Sequence, residues 1–157
     1  MPIKNLILPL FLFVAAFSGS CKEDSLFEKK SEIPKNIWQI NDSLCFNAEI
    51  QNINRYYNIF LKIDVKEDFL TENLWLLIKS KSPSGNILND TVMFFITDKT
   101  GKWFGKKHGD VIKNKFLYKT RVLFPEKGNY RFCISHGMRE EDLPRVTSVG
   151  ISIEKAE

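Results

Sequence analysis

From residue 43 onward, apolar side chains recur at every second position in short segments, and this period of two constrains the fold more than any other feature of the chain. Residues 43–50 (SLCFNAEI) place Leu44, Phe46, Ala48 and Ile50 on one face, and residues 57–65 (YNIFLKIDV) do the same with Ile59, Leu61, Ile63 and Val65. Residues 116–124, 129–135 and 146–154 alternate in the same way, the last with Val149, Ile151 and Ile153 inward. Residues 74–79 (LWLLIK) are almost continuously apolar and suggest a more deeply buried strand, with 91–97 (TVMFFIT) as its hairpin partner. Pro83-Ser84-Gly85-Asn86, Asp98-Lys99-Thr100-Gly101 and residues 125–128 supply the turn chemistry between them. No window beyond the N-terminal segment has a 3.6-residue apolar period. The chain is therefore expected to be all-β, a single antiparallel β-sandwich of eight or so strands. Immunoglobulin-like and jelly-roll strand orders both satisfy the pattern.

The N-terminus is of a different kind. Lys4 precedes an apolar run over residues 6–17, about a dozen residues, too short to span roughly 30 Å of hydrocarbon. Ser18, Gly19 and Ser20 lead into Cys21, and there is no Ala-x-Ala site. This is the pattern of a bacterial lipoprotein signal, although Ser18 stands where Leu or a similar residue is usual. The expected division is a signal peptide over 1–20, an acylated Cys21 with a flexible tether over 21–32, and a sandwich domain over 33–157. Several acyl chains on one residue, at about 0.8 kcal/mol per buried CH₂, anchor a protein without a transmembrane helix. A plain secreted protein with Cys21 as an ordinary thiol is the weaker alternative.

Charge and motif content narrow the function. The chain carries +4, and Lys4 leaves with the signal, so nucleic acid is not an expected partner. His108 and His136 are far apart, without carboxylates at ligand-like spacing, and neither a metal nor another cofactor is expected. No nucleophile elbow, phosphate loop or dinucleotide fingerprint is present, and Glu140, Glu141 and Asp142 read as a solvated loop. An enzyme is not expected. The best candidate binding patch is Lys102, Trp103, Phe104, Lys106, Lys107 and His108, continued by Lys113, Lys115, Lys119 and Arg121. Aromatics among cations can contact sugar or an anionic surface, but a cap of Trp103 and Phe104 over the core, ringed by solubilising lysines, is the favoured reading. His136-Gly137-Met138-Arg139 is a second candidate interaction loop. Cys45 and Cys133 both fall on the polar phase of their strands. They could join only if those strands neighbour each other, and two free thiols are favoured over a disulfide.

A set of ordered short motifs adds a family likeness: Ile33-Pro34 and Trp38; Tyr57-Asn58-Ile59; Asn73-Leu74-Trp75; Asp98, Gly101, Trp103 and Gly105; Leu117-Tyr118-Lys119; Phe124-Pro125, Gly128 and Tyr130; Met138-Arg139; and Val149-Gly150-Ile151. Together with the lipoprotein start, the chain resembles the gliding-motility lipoprotein family GldH over nearly all of its mature length, departing from it over 64–68 and at Ser18. The resemblance implies a lipid-anchored accessory protein of the gliding machinery of diderm bacteria, which moves surface adhesins and is tied to an outer-membrane secretion system. It implies partners among the other envelope proteins of that machinery, no catalytic residues, and Cys21 as the acylated residue that carries the protein on the outer membrane, its face undecided. An anchored carbohydrate-binding sandwich, gripping through Trp103, is the alternative.

Lys22, Glu23 and Asp24 are similar to the Lys-acidic-acidic signal that sends such lipoproteins to the cell surface. Asp24-Ser25-Leu26, Asp42-Ser43-Leu44 and Asp90-Thr91-Val92 are similar to an O-glycosylation motif of the same bacteria. Ser25 is the best candidate of the three, because it is expected in the tether.

Overall fold

The computed structural model describes residues 25–157, so the signal segment, Cys21 and the triplet Lys22, Glu23 and Asp24 lie outside the described residues. Among the described residues eleven strands form: β1 (Ser25–Glu32), β2 (Ile37–Gln39), β3 (Leu44–Ile50), β4 (Tyr57–Lys66), β5 (Asn73–Lys81), β6 (Ile87–Phe95), β7 (Lys106–His108), β8 (Val111–Val122), β9 (Gly128–His136), β10 (Asp142–Pro144) and β11 (Val146–Lys155). They make a five-stranded sheet ordered β1-β11-β4-β8-β7, a four-stranded sheet ordered β3-β9-β5-β6, and a ribbon of β10 and β2. Every pairing is antiparallel. Among the eight long strands the first pairs with the last (β1 with β11), the second with the seventh, the third with the sixth, and the fourth with the fifth. That nested pairing is the jelly roll, which decides between the two orders open from sequence.

The expected inward faces form the core. Leu61, Ile63, Val65, Val149, Ile151 and Ile153 of the five-stranded sheet meet Phe46, Ala48, Ile50, Leu74, Leu76 and Ile134 of the four-stranded sheet, all buried. Along one open side, β6 and β8 are tied across the sheets. Phe94 stacks on Phe116 with centroids 4.6 Å apart, the Tyr118 hydroxyl donates to Asp90 Oδ2, and Lys119 Nζ lies 2.8 Å from the same oxygen. Lys119 and Tyr118 hold the Asp90 carboxyl below its usual range, while burial and the facing carboxylate push the Tyr118 hydroxyl far above its own.

Three sequence expectations are corrected. Residues 25–32, expected as the end of a flexible tether, form edge strand β1, with Phe27 opposite Ile153 and Glu32 opposite Ser148. The charged sequence concealed it, because an edge strand is held by backbone pairing and tolerates lysine on its open side. Its side chains also reach over β11, whose outward residues Ser148, Gly150 and Ser152 are small. Lys30 Nζ lies 2.5 Å from Asp64 Oδ2, and Lys62 Nζ lies 2.5 Å from Glu28 Oε1. A Cβ on Gly150 would stand 2.6 Å from the Lys29 carbonyl oxygen, so only glycine permits this approach.

The second correction concerns Cys45 and Cys133, favoured as free thiols. They are directly opposite each other in the β3–β9 pairing, 4.0 Å apart at Cα, and form a disulfide. Both do lie off the core face, but a cross-strand pair that does not exchange backbone hydrogen bonds is close enough to bridge. The third concerns residues 74–79, expected as a buried strand. Leu74, Leu76 and Ile78 are buried, whereas Trp75 and Leu77 point outward and are 43% and 42% exposed.

Candidate binding surfaces

The loop before β7 is organised by Asp98. Its Oδ1 accepts hydrogen bonds from the Thr100 amide (2.8 Å), the Thr100 hydroxyl (2.7 Å) and the Lys102 amide (3.0 Å), which keep the carboxyl below its usual range. Gly101 closes the turn at φ +82°. The chain then bridges back, Trp103 opposite Thr97, and the Phe104 amide donates to the Ile96 carbonyl at 3.0 Å. This separates the two aromatics of the expected patch. Trp103 is half-buried against the core, as the cap reading expects, whereas Phe104 is 64% exposed, contrary to it.

Lys106, Lys107 and His108 follow on edge strand β7, exposed, with Lys102 exposed before them. Lys107 is paired with Glu67. The outer surface of the five-stranded sheet carries a groove of about 560 Å³ lined by Lys30, Lys62, Lys106, His108, Lys113 and Lys115, with Phe104 at its rim. Most of its cations are neutralised locally: Lys30 by Asp64, Lys62 by Glu28, and Lys115 by Glu154 at 2.7 Å. Lys115 also lies over the Phe60 ring at 4.3 Å. Lys106 and Lys113 stand directly opposite each other across β7 and β8, a like-charge placement that costs stability. Of the further cations expected with this patch, Lys119 is paired with Asp90 and Arg121 sits at the other end of β8.

A second surface was anticipated from sequence only in part, through the candidate loop His136-Gly137-Met138-Arg139. On the outer face of the four-stranded sheet, Trp75 stands opposite Met93, and Phe95, 55% exposed, stands opposite Asn73 at the adjoining end. Leu77 continues the patch toward the disulfide. The segment after β9 is pinned beside it: the Gly137 amide donates to the Trp75 carbonyl at 2.8 Å, and the Trp75 amide to Met138 Sδ at 3.3 Å. Trp75, Leu77, Phe95 and Met138 thus form an apolar patch bordered by Arg139 and Glu140. Exposed apolar patches of this kind occur at protein, membrane and ligand contact sites. The signal in the sequence was the run over 74–78, apolar on both phases of the strand.

His136, placed by sequence in a candidate interaction loop, is instead the last residue of β9 and fully buried. Its ring meets Trp38 edge-on at 5.3 Å, beneath the ribbon in which Trp38 faces Leu143. Burial pushes the His136 pKa down, partly opposed by the backbone of Trp38 and Glu141 and by the charges of Glu140 and Asp142. Ser25 heads β1, opposite Glu154, and its hydroxyl donates to the Phe27 carbonyl at 3.1 Å. The accessible tether that recommended it for glycosylation therefore does not exist at that residue.

Comparison with known proteins places the chain. The family model described as GldH lipoprotein matches residues 25–153. A "Gliding motility lipoprotein GldH homolog" from Christiangramia forsetii is 32% identical, covering 94% of each chain, and a "Gliding motility lipoprotein GldH" from Flavobacterium johnsoniae is 26% identical, covering 99% of each. Among solved structures, a GH115 4-O-methyl-alpha-glucuronidase, BtGH115A, aligns with 82% of this chain and 14% of that enzyme at a TM-score of 0.39 and 9% identity, a likeness too loose to bear on function.

Proposed function

The chain belongs to the GldH lipoprotein family, and on that premise we propose that it is a non-catalytic accessory component of the gliding machinery and its associated secretion apparatus. Family membership makes it a membrane-anchored envelope protein connected with gliding motility. In the proposed reading, Cys21 is acylated, the anchor lies in the outer membrane, and the domain works by docking on other envelope proteins of the apparatus rather than by chemistry or by binding nucleic acid.

The observation that carries the docking role is the patch of Trp75, Leu77, Phe95 and Met138. Trp75, Leu77 and Phe95 are exposed, Met138 rests partly buried against the core beside them, and backbone hydrogen bonds and sheet register hold the group in place. A carbohydrate-binding role built on Trp103 is the second reading, and it has less support because the indole is half-buried against the core. The test is a strain in which the chromosomal copy is deleted and replaced by variants. Deletion and Cys21→Ala are expected to abolish spreading on agar. The Trp75→Ser/Leu77→Ser variant is expected to accumulate and reach the membrane normally but fail to restore spreading. A deletion strain that spreads normally removes the motility assignment, and full restoration by the Trp75/Leu77 variant removes the patch from the docking role.

A further inference from the structure

The start of β1 sets how far the domain can stand from its anchor. Ser25 is already paired with Glu154, and only Lys22, Glu23 and Asp24 separate it from Cys21. Four Cα-to-Cα steps reach at most about 14 Å, whereas a tether running to residue 32 would have reached about 40 Å. A headgroup layer is itself roughly 5–8 Å deep on each side of the hydrocarbon. We infer that the end of the sandwich carrying Ser25 is a membrane-contacting face that lies on phospholipid headgroups; this rests on the acylation of Cys21 proposed above.

The strand pairings define that end. Glu154 pairs with Asn58 and Tyr57 with Val122, so the start of β4, the end of β8 and the end of β11 lie beside Ser25. Ile50 pairs with Gly128 and Lys81 with Ile87, which brings the loops 51–56, 82–86 and 123–127 to the same end. The Ser84 hydroxyl, 2.6 Å from Glu126 Oε1, joins two of them.

The surface so assembled has the chemistry of a headgroup contact. Leu26, Tyr56 and Leu123 are 40%, 46% and 51% exposed, and Arg55, Arg121 and Lys127 are exposed among them. Exposed apolar groups interleaved with cations suit an interface of acyl chains and anionic headgroups. Arg121 is deliberately placed. A bulge, in which Tyr57 pairs with Val122 and Ile59 with Lys119, holds Arg121 at φ +50°, an uncommon conformation for a residue with a side chain. Asn58 Oδ1 caps it, accepting from the Arg121 amide at 3.0 Å, and the guanidinium lies 4.8 Å from the Tyr56 ring centroid while Nη1 donates to the Glu157 carbonyl.

Acidic residues are distributed in the opposite sense. Glu126 is the only acid in these three loops, with Glu157 near them at the end of the chain, whereas Glu67, Asp68, Glu72, Asp98, Glu140 and Glu141 lie in the loops at the other end. The ten-residue β4 runs between the two ends, so the far end, whose loops carry Lys35, Lys99, Lys102, Arg139 and Arg145 beside those acids, stands about 30 Å farther from the bilayer.

The experiment uses the full chain, expressed in a diderm host that acylates lipoproteins and reconstituted into phosphatidylethanolamine vesicles containing phosphatidylglycerol and a headgroup-photoactivatable phospholipid. After illumination, labelled peptides are mapped by mass spectrometry. Label is expected on 51–56 and 121–127, severalfold above that on 67–72, 96–105 and 137–145, and Arg55→Glu/Lys127→Glu is expected to reduce it severalfold. Acylated protein labelled evenly, labelled chiefly on the far end, or indifferent to charge reversal overturns the orientation while leaving the anchor standing. An intact mass without acyl chains on Cys21 overturns the anchor itself, and the orientation with it.

Discussion

The two ends of the sandwich are closed by different means. At the anchor-side end the loops are short, and two of the three, 51–56 and 123–127, are each pinned by a tyrosine hydroxyl. Tyr57 donates to the Asn52 carbonyl at 2.9 Å and Tyr130 to the Glu126 carbonyl at 3.0 Å, with Phe124 between the two rings at 5.6 and 4.7 Å. At the far end the connections are longer, and a two-stranded ribbon closes the barrel by burying Trp38 and Leu143 over His136. Trp38 Nε1 donates to the Asp42 carbonyl at 2.8 Å, so the indole is satisfied as well as buried. Three buried rings, two of them with pinned hydroxyls, leave a small surface that carries Arg55, Arg121 and Lys127. The apolar plug supports a broader end on which Trp75 and Phe95 are left outside the core. The difference teaches that the far end holds its apolar surplus in two places, one buried for closure and one exposed for contact.

The contrast can be broken most sharply at Trp38. Trp38→Ala leaves a large cavity under the ribbon and is expected to destabilise the domain by about 3–5 kcal/mol. Tyr57→Phe removes one hydrogen bond from the other end and is expected to cost about 1 kcal/mol. Chemical denaturation of both variants checks this, and equal losses would mean that the two ends are closed in the same way. The disulfide staples β3 to β9 across a sequence separation of 88 residues. Cys45→Ser/Cys133→Ser is expected to lose about 2–4 kcal/mol, read as a lower thermal midpoint without altered β-signal in circular dichroism.

His136 gives the next smaller effect. Its pKa is depressed in the folded protein, so the unfolded chain takes up the proton first, at about pH 6.5. The stability it supports is complete above that pH and is lost progressively as the pH falls below it. Melting between pH 7.5 and 5 is expected to show a declining midpoint that His136→Phe flattens. The smallest effect on stability is expected at the exposed patch. Trp75→Ser and Leu77→Ser should each lie within about 1 kcal/mol of the parent by denaturation, because neither side chain belongs to the core.

Much of this architecture was legible in the chain. The alternation over 43–50, 57–65 and 146–154 named the inward residues of β3, β4 and β11, because a face packed on a core must be apolar at every second position. What escaped depended on neighbours that alternation does not name. β1 is charged along its length and is held by β11, more than a hundred residues away in the chain. The Cys45–Cys133 bond required knowing that β3 lies beside β9. Trp75 and Leu77 looked buried because a strand that is apolar on both phases reads the same whether its second face meets a helix, a sheet or a partner. His136 looked like a loop residue because the ribbon that covers it consists of two three-residue strands, too short to show a period. The lysines of 102–108 were visible as a charge cluster and Trp103 as a cap on the core, but the ion pair of Lys107 with Glu67 and the exposure of Phe104 were not.

The account's central claim is that the anchored domain meets its protein partners through the far-end patch and the membrane through the other end. Site-specific photo-crosslinking in living cells tests it most directly, with a photoreactive amino acid placed in turn at Leu77 and at Arg55. The account predicts protein adducts from position 77, identified by mass spectrometry as envelope components of the gliding or secretion apparatus, and no protein adducts from position 55. Protein adducts arising only from position 55, or none of the apparatus from position 77, would contradict it.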